Sequence, residues 1–366
     1  MIFEILNKSS KDILNEDSTY QIKFYKNVYD ENHILKSKYC NNSLIKELFE
    51  EKHKIDYFYD NNYDKEYITA RNSIFPTDKK GSSKFSNRAG DKILEVLQLI
   101  NIDKDLQKKH YEPFYFSSVA DGPGSWVEVI LKLVKYPVKG FGMTLLIPGK
   151  SSLNWYPWIL KNRNFIIENG KTGTGDIYVS DNLIKFNNTI KSYTNNKMIN
   201  LALSDGGIEV GGVINGIHYD NIQELLNNRL KLSEFYIALQ NLQEGGMMLS
   251  KIYDTLGNVM VSILYIASLV FDKVLIVKPK TSRLVNSEKY LYCSGYKRND
   301  KILKIIFDII KLSNEKNIPE TIINPKLIEK DEIFMNSLKT FNETYITKQL
   351  DALKKVNEET MKLINN

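Results

Sequence analysis

Only two cysteines, Cys40 and Cys293, occur in 366 residues, too far apart to suggest a disulfide framework or a cysteine-ligated zinc site. That scarcity points to a reducing, intracellular setting. Long apolar runs are also missing. The longest, residues 259–271 (VMVSILYIASLVF), falls short of the roughly 20 residues that cross a bilayer. The opening residues MIFEILNKSSKD lack the basic-then-apolar layout of a secretory signal. A soluble chain is expected. Neither sign of charge dominates: 50 Lys and Arg stand against 44 Asp and Glu, a formal net charge of +6. A polyanionic partner is therefore permitted but not demanded. There is no internal repeat and no low-complexity tract. With 42% hydrophobic residues the chain can bury one large core with additions at both ends.

What is present centres on residues 115–126, YFSSVADGPGSW. The first half reads as a buried strand, Asp121-Gly122-Pro123-Gly124 is turn chemistry, and residues 126–135 have helical spacing. A strand, a glycine turn and a helix form a ligand-binding corner at the carboxyl end of a parallel sheet, although D-G-P-G is also an ordinary tight turn. Further strands are expected at 138–146, 199–204, 247–250, 273–277 and 289–294, and helices at 42–57, 88–100, 221–242, 258–270, 301–312 and 341–364. This alternation gives an α/β doubly wound sheet. The loop 71–88 carries Lys79, Lys80, Lys84 and Arg88 among Gly and Ser beside Phe75 and Phe85, which suits a phosphate backbone and equally a solvated charged loop.

Four ionisable residues stand where such a sheet keeps its chemistry. Lys92 lies within the apolar stripe of the 88–100 helix, Asp205 and Lys251 end strands, and Glu288 opens the last one. Taken singly, Lys92 reads as a lysine that snorkels out at the edge. Together, two lysines and two carboxylates balance in one cleft. A neighbouring ammonium is expected to lower the proton affinity of Lys251, with the carboxylates moderating the effect. Lys251 would then take a proton from a substrate hydroxyl, or stabilise the developing alkoxide, as that oxygen attacks a methyl group. No metal is needed.

The segments SNRAGDK (86–92), ADGPGSWVE (120–128), KGFGMTL (139–145), GDI (175–177), LSDGG (203–207), GGMMLSKIYD (245–254) and KPKTSRLVNSEKYLYCSG (278–295) resemble the FtsJ-type RNA ribose 2′-O-methyltransferases, most closely their cap-1 mRNA branch. The likeness runs from about residue 39 to the last helix. It implies a Rossmann-like S-adenosylmethionine-dependent fold with a mostly parallel seven-stranded sheet and an antiparallel last strand. It also implies a catalytic tetrad falling on Lys92, Asp205, Lys251 and Glu288. Implied cofactor contacts are Asn87, Asp121, Gly122, Gly124, Trp126, Thr144 and Asp176, the last near the adenine. Ser125 replaces a glycine of the family's Pro-Gly-Gly-Phe, and Thr144 stands where relatives place an acid. Cap and RNA contacts match Lys52, Arg71, Lys80, Asp220, Asn221 and Asn286. Residues 208–219 form an extra glycine-rich insertion.

The implied partner is the 5′ end of capped mRNA, bound by a monomer, with a capping-enzyme or polymerase partner left open. Three parts are expected: an N-terminal extension (1–70), the methyltransferase domain (71–297) and a C-terminal helical extension (298–366). A ribose methyltransferase acting on uncapped RNA, or an RNA-binding capping subunit without turnover, remains an alternative.

Overall fold

Strands that alternate every second residue bury both faces of a sheet only if helices cover each side. The computed structural model shows this layering, and it describes residues 1–76, 83–108, 110–147, 149 and 154–365. Among these, one sheet contains β1 (Ile2–Glu4), β2 (Phe114–Val119), β3 (Val138–Met143), β4 (Phe165–Ile167), β5 (Ile199–Ser204), β6 (Leu242–Ile252), β7 (Lys273–Val277) and β8 (Lys289–Ser294). Their order is β1-β7-β8-β6-β5-β2-β3-β4. β4, β3, β2, β5 and β6 are parallel, and β8 lies antiparallel between β6 and β7.

Strands β2 to β8 are the seven of the expected sheet. The eighth, β1, pairs antiparallel with β7 and comes from a segment whose sequence shows no period. Three residues are too few to display one.

The longer helices are α1 (Asn42–Asp60), α2 (Asp64–Ile74), α3 (Arg88–Leu99), α4 (Ser125–Leu133), α5 (Ser180–Thr194), α6 (Asn228–Asn241), α7 (Asn258–Val270), α8 (Asp300–Leu312) and α9 (Glu332–Asn365). Phe116, Leu203, Leu249, Val277 and Tyr290 point into one layer with Ile93 and Val96 of α3 and Val127 and Ile130 of α4. Val119, Ala202, Met248, Ile276 and Leu291 point into the other, which α5 to α9 share with α1. The apolar run 259–271 is thus spent on α7, buried almost all round. Among the described residues no helix is long and apolar enough to cross a membrane.

Local chemistry moved several boundaries. The Asn41 side chain, not Asn42 or Ser43, caps α1 by accepting from the Ser43 N–H at 2.9 Å. The helix expected at 221–242 divides into Gln223–Leu226 and α6. α9 begins nine residues before the expected 341. It packs along α1 and α2, where Asn357 donates to the Glu51 carboxylate at 2.7 Å, and its Asn342 donates to the Tyr39 carbonyl, just before α1, at 2.8 Å.

Candidate active site

Sheet register gathers the chemistry. Val119 pairs with both Met143 and Ser204, and Ser204 with Ser250, so β2, β3 and β5 stop at one level and β6 two residues beyond it. The residues just beyond that level, Asp121, Thr144, Asp205 and Lys251, therefore stand on one rim. β8 runs the other way, with Tyr290 opposite Lys251. Its first residue follows Glu288, which reaches the same rim from the opposite chain direction.

Two ion pairs result. The Lys251 ammonium lies 2.9 Å from Asp205, and Lys92 lies 2.8 Å from Glu288. Lys92, on α3, does not snorkel to solvent but turns into the cleft. The Tyr290 hydroxyl donates to Glu288 at 2.9 Å. Burial raises the cost of the Glu288 carboxylate, but the Lys92 charge, with Lys251 beyond it, outweighs this and holds its pKa at about 2. Lys251 corrects an expectation. Burial alone would lower its proton affinity, yet Asp205 overrides burial and holds it above the ordinary lysine range. The facing carboxylates, not the second lysine, set the balance, so the resting Lys251 is an ammonium.

The glycine corner sits beside this cluster. Gly124 precedes α4 with φ +109°, a conformation that disfavours any side chain, and an added Cβ would lie 2.2 Å from Ile159 Cδ1. Asp121 is buried, its carboxylate accepting from the Ser118 hydroxyl at 2.8 Å and from the Val127 N–H at 3.2 Å. Burial, together with the nearby Asp205, pushes its pKa up to about 8. The Gly122 N–H donates to Thr144 Oγ1 at 3.3 Å, tying the corner to the end of β3. Asp176 is partly exposed beyond that end, with one oxygen accepting from the Tyr178 N–H at 2.8 Å.

Some expected contacts stand differently. The Trp126 indole is fully buried against Tyr290 and faces the core. Its Nε1 has no hydrogen-bond partner in the protein. Asn87 uses its oxygen to cap α3 through the Ala89 N–H at 2.8 Å and its amide to donate to the Tyr156 hydroxyl at 3.1 Å. Two buried acceptors at the corner, Ser125 Oγ and Asn169 Oδ1, have no partner in the protein. A polar, nucleoside-like ligand fits such a donor and acceptor set.

Next to the tetrad opens a cleft of about 650 Å³ lined by Lys52, Arg71, Asp220, Asn286 and Glu288. Four of the residues matched to cap and RNA contacts thus share one hollow with Glu288. Asn221 does not: it is buried, donating to Asp56 at 2.8 Å and to Glu31 at 3.0 Å. Lys79 and Lys80 lie outside the described residues. Asp56, His218 and Asp220 bring donor atoms within 4.8 Å of one another and make one wall of the cleft acidic. Tyr59 lines the same hollow, set edge-to-face with the buried Tyr67, whose ring carries the Arg71 guanidinium. An adjoining cleft of about 490 Å³ is basic, lined by Arg88, Lys92, Lys280 and Arg283.

Sequence reasoning did not single out Lys231, Glu234, Tyr253 or Lys278, all buried around the rim. For Lys231 and Glu234 the signal was present: opposite charges three apart in a helix segment that is otherwise apolar.

A parallel sheet with a glycine corner at its switch point and a lysine–carboxylate cluster beside it defines a Rossmann-like methyltransferase. A model of the FtsJ-like methyltransferase family matches residues 85–296, and the chain belongs to that family. It is similar to cap-specific mRNA (nucleoside-2′-O-)-methyltransferase 1 of Leishmania braziliensis, 31% identical over 307 residues that span 79% of this chain and 74% of the relative. The protein of that name from Trypanosoma cruzi is 31% identical over 302 residues, 79% of this chain and 80% of its own length. For the human protein of that name the match is 31% over 258 residues, 69% of this chain but 30% of the relative.

Proposed function

We propose that this protein methylates the ribose 2′-oxygen of the first transcribed nucleotide of capped RNA, using S-adenosylmethionine. The observation that carries this reading is the shared hollow: Glu288 of the tetrad lines the same cleft as Lys52, Arg71, Asp220 and Asn286. The names borne by the relatives from Leishmania and Trypanosoma support it. A methylated guanine carries positive charge, and the wall of Asp56 and Asp220 with Tyr59 suits a cationic, flat ligand. The neighbouring basic cleft suits the phosphates that follow.

The cofactor would be held between Gly122, Gly124, Thr144 and Asp176, and it supplies an electrophilic methyl on a positively charged sulfur. The ribose hydroxyl comes to Lys251, whose ammonium donates to its oxygen and offsets the negative charge that builds there. As that oxygen takes the methyl that the cofactor would supply, its hydroxyl proton would pass to water, because the resting Lys251 already holds one. For Lys251 itself to accept that proton, its own must leave first. A cation beside it favours that loss, against the hold of Asp205. Lys92 and Glu288 keep the second wall of the cluster neutral and in place.

In this reading residues 71–297 form the methyltransferase domain, and residues 1–70 and 298–366 complete the RNA cleft, with Lys52 from the first part and α9 bracing Asn286 from the second. The test is transfer of labelled methyl from S-adenosylmethionine to capped and uncapped RNA of one sequence. Label on the capped RNA at the first ribose supports the proposal, and equal labelling of both RNAs refutes the cap assignment.

A further inference from the structure

Asp205 sits at the turn after β5, and a turn of Asp-Gly-Gly has little intrinsic stiffness. Something must fix its aspartate to within the few tenths of an ångström that an ion pair needs. The next residue is held through both of its flanking peptide groups. Glu234 Oε1 accepts from the Gly206 N–H at 2.9 Å, and the Lys231 ammonium donates to the Gly206 carbonyl at 2.8 Å. The two side chains pair with each other at 2.7 Å. Both are almost wholly buried, with side-chain exposures of 6% and 1%.

Residue 206 is shaped to this grip. A Cβ there would lie 2.2 Å from Glu234 Oε1, so only glycine lets the carboxylate come so close. One strand over, the Ser204 hydroxyl donates to that of Ser250 at 2.7 Å, linking the strands that deliver Asp205 and Lys251 just before each ends.

A buried ion pair is a poor source of stability, since a well-packed apolar pair of similar volume is commonly as stable or more so. Its value here lies in direction. A charged donor and a charged acceptor, fixed on one rigid helix, α6, address the N–H and the carbonyl of a single residue. We propose that Lys231 and Glu234 are positioning residues for methyl transfer: they clamp the two peptide groups that flank the Gly206 Cα and thereby hold Asp205 in its ion pair with Lys251. The proposal rests on the functional reading above for its kinetic consequence, though not for its geometric one.

The test uses the full chain and two variants. In Lys231→Met/Glu234→Gln both charges are removed together, so neither is left buried alone. In Glu234→Asp the charge pair is kept while the acceptor is withdrawn by one methylene from Gly206. Steady-state methyl transfer to capped RNA should show kcat lowered at least tenfold in the first and severalfold in the second. KM for S-adenosylmethionine and for RNA should stay within about twofold. A second readout needs no turnover: NMR titration of ¹³C-dimethylated lysines should show the Lys251 resonance titrating at lower pH in both variants than in the parent, as Asp205 drifts away. Wild-type kcat with an unmoved Lys251 titration in folded variants overturns the clamp. So does a rise in KM at constant kcat. If neither variant folds, the pair is structural and the positioning assignment falls. If the parent protein transfers no methyl group, the functional reading fails instead, and the Lys251 titration still decides the clamp.

Discussion

Lys92 and Glu288, separated by 196 positions, meet at 2.8 Å. Neither belongs to the strands that carry Asp205 and Lys251, yet the pair closes the same rim, because α3 lies over the sheet where antiparallel β8 begins. A local sequence window holds no trace of this encounter.

Loss of the Lys251 amine should remove the charge that faces the attacking oxygen. Lys251→Ala is expected to lower kcat by about 100- to 10,000-fold, the range for a positioned proton-handling group. Cofactor affinity by calorimetry should stay within about threefold and the melting temperature within a few degrees. Near-normal turnover would remove Lys251 from the chemistry.

Glu288 has a pKa of about 2 in the folded protein, below its ordinary 4.5. Its stabilisation is therefore present in full above pH 4.5 and lost as pH falls through about 2. Glu288→Gln should lower stability by up to about 3 kcal/mol at neutral pH. Denaturant melts at pH 7 and pH 3 should show the gap between variant and parent narrowing at the lower pH.

Asp121 has a pKa pushed up to about 8, so near neutrality the folded protein keeps a proton there that the unfolded chain sheds above about 4. Its contribution to stability is fullest below pH 4 and is lost as pH rises through 8. A cationic methyl donor in the adjoining corner would favour the carboxylate. Its binding should release a proton and tighten between pH 6 and 8, whereas the neutral demethylated product should show less of either. Calorimetry in buffers of different ionisation enthalpy reads the proton count, and Asp121→Asn should abolish it.

Gly124→Ala places a side chain at φ +109° and against Ile159. The expected cost is about 1–3 kcal/mol of stability, with weakened cofactor binding as the start of α4 shifts. An unchanged cofactor affinity would show that the corner does not depend on this glycine.

The basic residues Lys79, Lys80 and Lys84 are expected to pair with RNA phosphates. Replacing all three with Gln should reduce the slope of log affinity against log salt by about one unit for each phosphate no longer neutralised, measured by filter binding across about 50–300 mM salt. An unchanged slope would place the RNA path elsewhere.

The sheet was legible from alternation in its strands, and Asp205 and Lys251 stood out as polar residues at strand ends, while Lys92 stood out as a charge in an apolar helix stripe. Pairing partners were not, since Lys251 could have faced Lys92 as readily as Asp205 until register fixed them. Hence the expected drop in Lys251 proton affinity is reversed. The inward turn of Asn221 and the burial of Trp126 also escaped, because a motif gives residue types and order but not which way a side chain points. β1 and β4 escaped as well, each three residues long.

α9 reaches back over the cleft, where the Tyr345 hydroxyl donates to the Asn286 carbonyl at 2.7 Å and Gln349 to the Val285 carbonyl at 3.2 Å. Ribosomes build a chain from its amino end, at about 5–20 residues per second. Every tetrad residue will have been translated before these braces are made. A nascent polypeptide halted short of residue 345 would thus carry Lys92, Asp205, Lys251 and Glu288 while the loop bearing Asn286 still awaits its anchor.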